Sequence, residues 1–360
     1  MTRTTAPDGA ATNLTVVSSY GAGGSSARVR LFDWLHFLDH PFEQSDYLGK
    51  SDNALSTILR ELPQVVSAET RLRRLATSNG LSRVLIGREA SPFSNGVIES
   101  RLLAAADRGI YDFDDALFAY PTGGVRRIWS KRRVWQRSVV AADVVVAGND
   151  YLADAASEFS SHVVMIPSCV DPDSYAEKTN FEVSDVPRAM WIGSPSTEPY
   201  LSLIEAPLLR LHQERGLRLT VISAGEQSLG ALDPMIDRLS WNAESFGTEL
   251  ARADVGIMPL PDSDFARGKC AYKLLQYAAA GLPSVASPIG ANALALDRTG
   301  GLPATTDEEW YGAVESLIDA SSAARSSLGR QARLAIREHY SFQAWESRFR
   351  TAIGAEVSAL

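Results

Sequence analysis

The chain has 360 residues, 45% of them hydrophobic and 22% charged, a globular mixture too long for one compact core, so two domains are expected rather than a disordered or fibrous chain. Its 35 basic against 43 acidic side chains give a net charge of -8, which excludes a general attraction to nucleic acid and requires any anion site to be local. Cys169 and Cys270 lie far apart without CxxC spacing, and the five histidines form no zinc-type cluster, so neither a disulfide framework nor a metal is expected.

The segment Met1 to Asn13 is polar and lacks the apolar run of a signal peptide. No later run approaches the length that crosses a bilayer, so a cytoplasmic chain is expected, with a peripheral place at the membrane left open. The first buried strand is read at Leu14-Thr15-Val16-Val17, followed by the glycine-rich Gly21-Ala22-Gly23-Gly24 and a helix from Ser25 to about Leu38. Strands recur at Arg83 to Arg88, Gly109 to Asp112, Asp143 to Gly148 and Val163 to Ile166, each separated by a helix-length segment. That alternation argues for a parallel sheet covered on both faces.

Between Val170 and Arg188 the pattern lapses into a polar, linker-like stretch. A second alternation then follows, with strands at Ala189 to Ile192, Leu219 to Ser223, Val255 to Leu260 and Ser284 to Ala286, and a helix from about Thr197 to Arg215. From Asp307 helical periodicity dominates to the end, with Trp345 and Phe349 on one face. The expected division is 1–172 as a first α/β domain, 173–187 as linker, 188–335 as a second, and 336–360 as a C-terminal helix returning toward the first.

The richest stretch runs from Ala253-Asp254-Val255-Gly256-Ile257-Met258-Pro259 through Arg267-Gly268-Lys269-Cys270-Ala271-Tyr272-Lys273-Leu274-Leu275-Gln276-Tyr277 to Ala280-Gly281-Leu282-Pro283. A strand, a loop carrying glycine and three cations, and a helix start follow one another there, so backbone donors and the helix dipole can serve a diphosphate. Lys269 and Lys273 are four residues apart and share a side, with Arg267 adding a forked donor. Fixed cations of this kind favour a leaving diphosphate in the transition state over the ground state. A solvated basic loop is the plainer alternative.

These motifs resemble the donor-binding region of glycosyltransferase family four, joined by Ala147-Gly148-Asn149-Asp150-Tyr151-Leu152 and Ile166-Pro167-Ser168-Cys169-Val170-Asp171. The resemblance spans nearly the whole chain. It implies the GT-B fold, two Rossmann-like doubly wound parallel-sheet domains facing a cleft with a helical C-terminal tail. It also implies a nucleotide diphosphate sugar as donor substrate, no cofactor, retention of configuration, and an acceptor bound mainly by the first domain: a small molecule, glycan or lipid-linked group. A catalytically silent sugar-nucleotide-binding partner and a GT-B epimerase are the alternatives. Gln276 stands where the family has its ribose-binding glutamate, and Gly268 where a second glutamate is common; a glutamine carbonyl can still accept from a ribose hydroxyl. The implied donor set is Gly23, Gly24, Gly193, Trp241, Arg267, Gly268, Cys270 and Gln276, with Lys269 and Lys273 acting on the diphosphate.

Tyr111-Asp112-Phe113-Asp114-Asp115 ends a strand where open parallel sheets place ligand contacts. Asp112 and Asp114 could be read as a metal pair, but the cationic donor loop makes that the weaker reading. Asp114 or Asp115 orienting the acceptor, or capping a helix, are both open; Asp112, Arg88 and Glu89 are further acceptor-side candidates. Trp241 either stacks on a nucleobase or braces the domain. Arg126 to Arg137 holds six cations without an acid, with Trp129 and Trp135 between them, and is read as a basic helix face with its aromatics inside or as a weak membrane-surface contact.

Overall fold

The computed structural model describes residues 14–49, 60–78, 80–120, 128–242 and 246–355, which gather into two compact units. Unit 1 takes the described residues up to Gly148, residues 152–166 and those from Ser347 onward; unit 2 takes residues 149–151 and 167–346.

Unit 1 is built on a parallel sheet of β1 (Leu14–Ser18), β2 (Phe42–Asp46), β3 (Leu81–Gly87), β4 (Ala106–Phe113), β5 (Val144–Ala147) and β6 (Val163–Met165), in the order β2-β1-β3-β4-β5-β6. The central strands are apolar because helices cover both faces: Leu14, Val17, Val84, Leu85, Ile86 and Ile110 are fully buried. The β2 sequence Phe-Glu-Gln-Ser-Asp gave no apolar signal, and its place explains why: it pairs with β1 alone, at the sheet edge. The helix expected from Ser25 forms as Ser25–Ala27, a π-helical Arg28–Phe32 and Asp33–Phe37. The residues from Ser347 complete this unit. Phe349 stacks on Trp34 at 4.3 Å between ring centroids, 5° from parallel, and Arg83 and Arg108 donate to the carbonyls of Ile353, Gly354, Thr351 and Ala352. Orphan carbonyls at a helix C-terminus are thereby matched to cations.

Unit 2 repeats the plan with β7 (Arg188–Ile192), β8 (Arg218–Ile222), β9 (Ile236–Leu239), β10 (Val255–Met258), β11 (Ser284–Ala286) and β12 (Leu302–Pro303), in the order β12-β11-β10-β7-β8-β9. The strand order reverses between β7 and β10, as it does between β1 and β3 in unit 1, and crevices at such reversals are where doubly wound sheets bind ligands. β9, Ile-Asp-Arg-Leu, is a polar edge strand, and β12 has only two residues; neither was legible in the sequence. The expected helix from Thr197 divides into a 3-10 segment, Pro195–Ile204 with Pro199 inside it, and an α-helix, Glu205–Arg215. Proline's missing amide disfavours a continuous α-helix at that point. Residues 173–187 lie within unit 2, where Lys178 is 5% exposed and donates to the carbonyls of Ala251 and Ala253 at 3.2 and 2.7 Å.

Among the described residues no helix is long and apolar enough to cross a membrane.

Candidate functional site

The helix Tyr272–Ala280 sets the geometry of the unit 2 reversal. Its Tyr277 hydroxyl accepts from the Ile192 amide at 3.2 Å and donates to the Ile257 carbonyl at 3.1 Å, joining β7 to β10. The ring lies on Gly256, where any Cβ would stand 2.5 Å from it. One turn earlier on the same face comes Lys273. Its stem passes Gly193, the residue after β7, so closely that a Cβ there would meet Lys273 Cε at 2.7 Å. Its ammonium rests over the buried Trp191 ring, 5.2 Å from the centroid. Lys273 is therefore held at the carboxyl ends of the strands that flank the reversal.

The loop before this helix is tied down from several sides. Asn149 donates to the Lys269 carbonyl at 3.1 Å, and Lys269 places its ammonium 4.5 Å from the Phe265 ring centroid. Ala271, the residue before the helix, has φ of 54°, a left-handed conformation that a β-carbon disfavours. Gly268 is buried and Cys270 half-buried, the thiol 3.8 Å from the Gly268 carbonyl. Arg267 departs from the expected trio: its guanidinium is 47% exposed and pairs with Asp262 at 2.8 Å and with Asp264 at 3.7 Å. Gln276 is buried and donates to the Tyr175 hydroxyl at 3.3 Å. Tyr175 meets Phe246 edge-on, and Phe246 in turn stacks with the partly exposed Trp241, centroids 6.0 Å apart.

Unit 1 carries a denser polar cluster at its own reversal. Arg30, buried on the π-helical segment, grips Asp112 in a two-pronged pair, Nε to Oδ1 at 3.1 Å and Nη2 to Oδ2 at 2.7 Å, and donates to the Ile166 carbonyl. Burial pushes the Asp112 carboxyl up, and the Arg30 charge opposes that push. Arg88 follows β3 with φ of 59° and reaches Asp115 at 3.0 Å and Asp114 at 3.8 Å. Asp114 also accepts from Ser26 at 2.7 Å. Glu89 is buried, pairs with Lys131 and accepts from Ser19. A small cavity there is lined by Ser18, Tyr20, Ser26, Arg30, Arg88 and Asp112. Gly24 closes a tight turn onto the Gly21 carbonyl at 2.9 Å, with Gly23 exposed at its tip.

The sequence therefore grouped Asp112, Asp114, Asp115, Arg88 and Glu89 but did not show that Arg30 pairs with Asp112 or that Ser26 donates to Asp114. The Arg30 to Asp112 pair joins residues 82 positions apart, and no local pattern encodes it. Tyr277 and Trp191 were likewise unread as supports, although the glycines at 193 and 256 that admit Lys273 and the Tyr277 ring were a usable signal. Arg126 and Arg127 lie outside the described residues; of the rest of that segment, Trp135 is buried among Phe113, Phe118 and Phe159, while Arg132, Arg133 and Arg137 are exposed.

Residues 187–320 match the family described as glycosyl transferases group 1. That segment is thus similar to a glycosyl-transferase family, and the chain as a whole has the GT-B fold. Among solved structures, the chain aligns over 96% of its length with all of Anabaena Alr3699/HepE in complex with UDP-glucose, at 13% identity and a TM-score of 0.62. It aligns over 97% of its length with 98% of an α,α-trehalose-phosphate synthase (UDP-forming) from Burkholderia vietnamiensis, at 13% identity and a TM-score of 0.64. The likeness to TarM covers 79% of this chain and 57% of that one, at 11% identity and a TM-score of 0.58. At such identities the likeness is one of fold. No curated protein sequence matches the chain.

Proposed function

We propose that the enzyme moves a sugar from a nucleotide diphosphate donor to an acceptor hydroxyl or amine, with the diphosphate held by unit 2 at the reversal between β7 and β10. The observation that carries this reading is the placement of Lys273, drawn past Gly193 onto Trp191 at the carboxyl end of β7. A cation fixed there stabilises the charge that builds on the diphosphate as the glycosidic bond breaks, and the N-terminus of Tyr272–Ala280 adds its dipole. Lys269 is assigned a supporting role on the same group. Donation to Tyr175 leaves the Gln276 carbonyl as its only acceptor for a ribose hydroxyl. Trp241 is assigned to the nucleobase, as an exposed ring stacked on Phe246. UDP-glucose is the first donor to test, since the Anabaena protein of the same fold is described in complex with it.

Metal-independent transfer with retention is part of this proposal. The lysines supply the positive charge that a divalent ion gives other transferases. The carboxylate pair that could have held such an ion is compromised, because Asp112 is gripped by Arg30. With no carboxylate assigned as nucleophile, a front-face route follows, in which the departing phosphate oxygen takes the acceptor proton. On the acceptor side Asp114 and Asp115 are proposed to orient that group, with Arg88 setting their geometry.

The deciding experiment measures nucleotide diphosphate release from a donor panel by wild type and Lys273→Ala. A charge-assisted contact contributes about 1.5–3 kcal/mol, so turnover is expected to fall on the order of tenfold or more while the melting temperature holds. Wild-type turnover in the variant refutes the Lys273 assignment, and an inverted product anomer by NMR refutes the front-face route.

A further inference from the structure

The helices Val97–Ala105 and Lys131–Ala141 pack side by side on the surface of unit 1. Their contact is close: a Cβ on Gly96 would stand 2.8 Å from the Arg133 carbonyl, and Arg137 donates to the Asn95 carbonyl at 3.1 Å. The outward face of the pair carries Arg101, Arg132, Arg133 and Arg137. The two helices contain one acid, Glu99, which is fully buried and bonded to the Ala90 amide and the Ser94 hydroxyl. Among the described residues none of the four arginines forms an ion pair. On a chain of net charge -8 this is a concentrated positive face. Surface arginines ordinarily have acids interspersed among them.

Apolar side chains frame the cations. Ile128 is 64% exposed just before the second helix, Val140 is 63% exposed one turn beyond Arg137, and Val97 is exposed at the start of the first helix. Trp135 points the other way, into the core, so the face offers charge with a few aliphatic contacts rather than a deep aromatic wedge.

We propose that this face docks the enzyme on an anionic lipid surface. Arginines near such a surface each strengthen binding by about fivefold, and aliphatic groups among them enter the headgroup boundary. The charge pattern favours a membrane over a folded protein partner, because the four cations are spread over two helices without any acid to set a register.

The test is co-sedimentation of the full chain with vesicles of phosphatidylcholine alone or with added phosphatidylglycerol, at low and high salt. Wild type is expected to bind only the anionic vesicles and to be released by salt. The triple variant R132Q/R133Q/R137Q should bind them roughly a hundredfold more weakly, while donor-induced thermal shift stays at the wild-type value. Equal partition of wild type onto both vesicle types, no binding to either, or full retention by the triple variant overturns the proposal. So does tighter binding of a single-stranded oligonucleotide than of anionic vesicles, which would make the face a nucleic-acid site.

Discussion

The two sheets reverse their strand order in the same way but set different side chains against the cations there. In unit 1 the cations at that point face carboxylates of the same unit: Arg30 is closed on Asp112, and Arg88 on Asp115 and Asp114. In unit 2 the lysines at the corresponding point rest on aromatic rings, Lys273 on Trp191 and Lys269 on Phe265. A guanidinium locked in a two-pronged carboxylate pair has little left to offer an incoming anion, and an ammonium lying on a ring is fixed in place by that ring. One topology therefore carries a polar frame in one half and, on the proposed function, an anion seat in the other.

The largest effect that could break this contrast is expected at Arg30. Its truncation in Arg30→Ala strands Asp112 in the core, and breaking a buried pair from one side costs about 3–5 kcal/mol. Denaturant unfolding should show that loss, with most of it recovered in Arg30→Met combined with Asp112→Asn. Retained stability in the single variant would mean that the pair frames nothing. A smaller effect is expected at Gly193→Ala. The new methyl would press on the Trp191 ring at 2.5 Å and on Lys273 Cε at 2.7 Å, a local overpacking of about 1–3 kcal/mol. Donor turnover should fall several-fold, and the variant's affinity for the nucleotide diphosphate with it; unchanged affinity would detach Lys273 from the diphosphate. The smallest effect belongs to Ala271→Gly. Relief of a left-handed φ should raise stability by up to about 1 kcal/mol, read as a small upward shift in melting temperature. A fall would mean that the loop's conformation is held by something other than backbone strain.

How far the sequence revealed this molecule follows from where its signals lie. The central strands were legible because burial on both faces forces them to be apolar, as in Val84-Leu85-Ile86 and Val145-Val146. The edge strands β2 and β9 were not, because one open side tolerates Glu43, Gln44, Asp237 and Arg238. At the candidate site, the spacing of Lys273 from Lys269 and the motif resemblance at Gln276 are the local signals on which the assignments rest. The pairing of Arg267 with Asp262 and Asp264 was missed although those acids lie five and three residues before it, within reach of a helical reading. Long-range partners such as Arg30 with Asp112 had no sequence signal, since pairing across 82 positions is decided by strand order alone.

The discontinuity of unit 1 bears on how the chain is made. A nascent polypeptide that has emerged through Ile166 already holds all six strands of its first sheet, yet Trp34 still lacks the ring of Phe349 and Arg83 the carbonyls it will bind. That half must wait, incomplete, while about 180 further residues are synthesised and the second sheet assembles. Premature termination anywhere before Ser347 would thus damage the domain that was translated first.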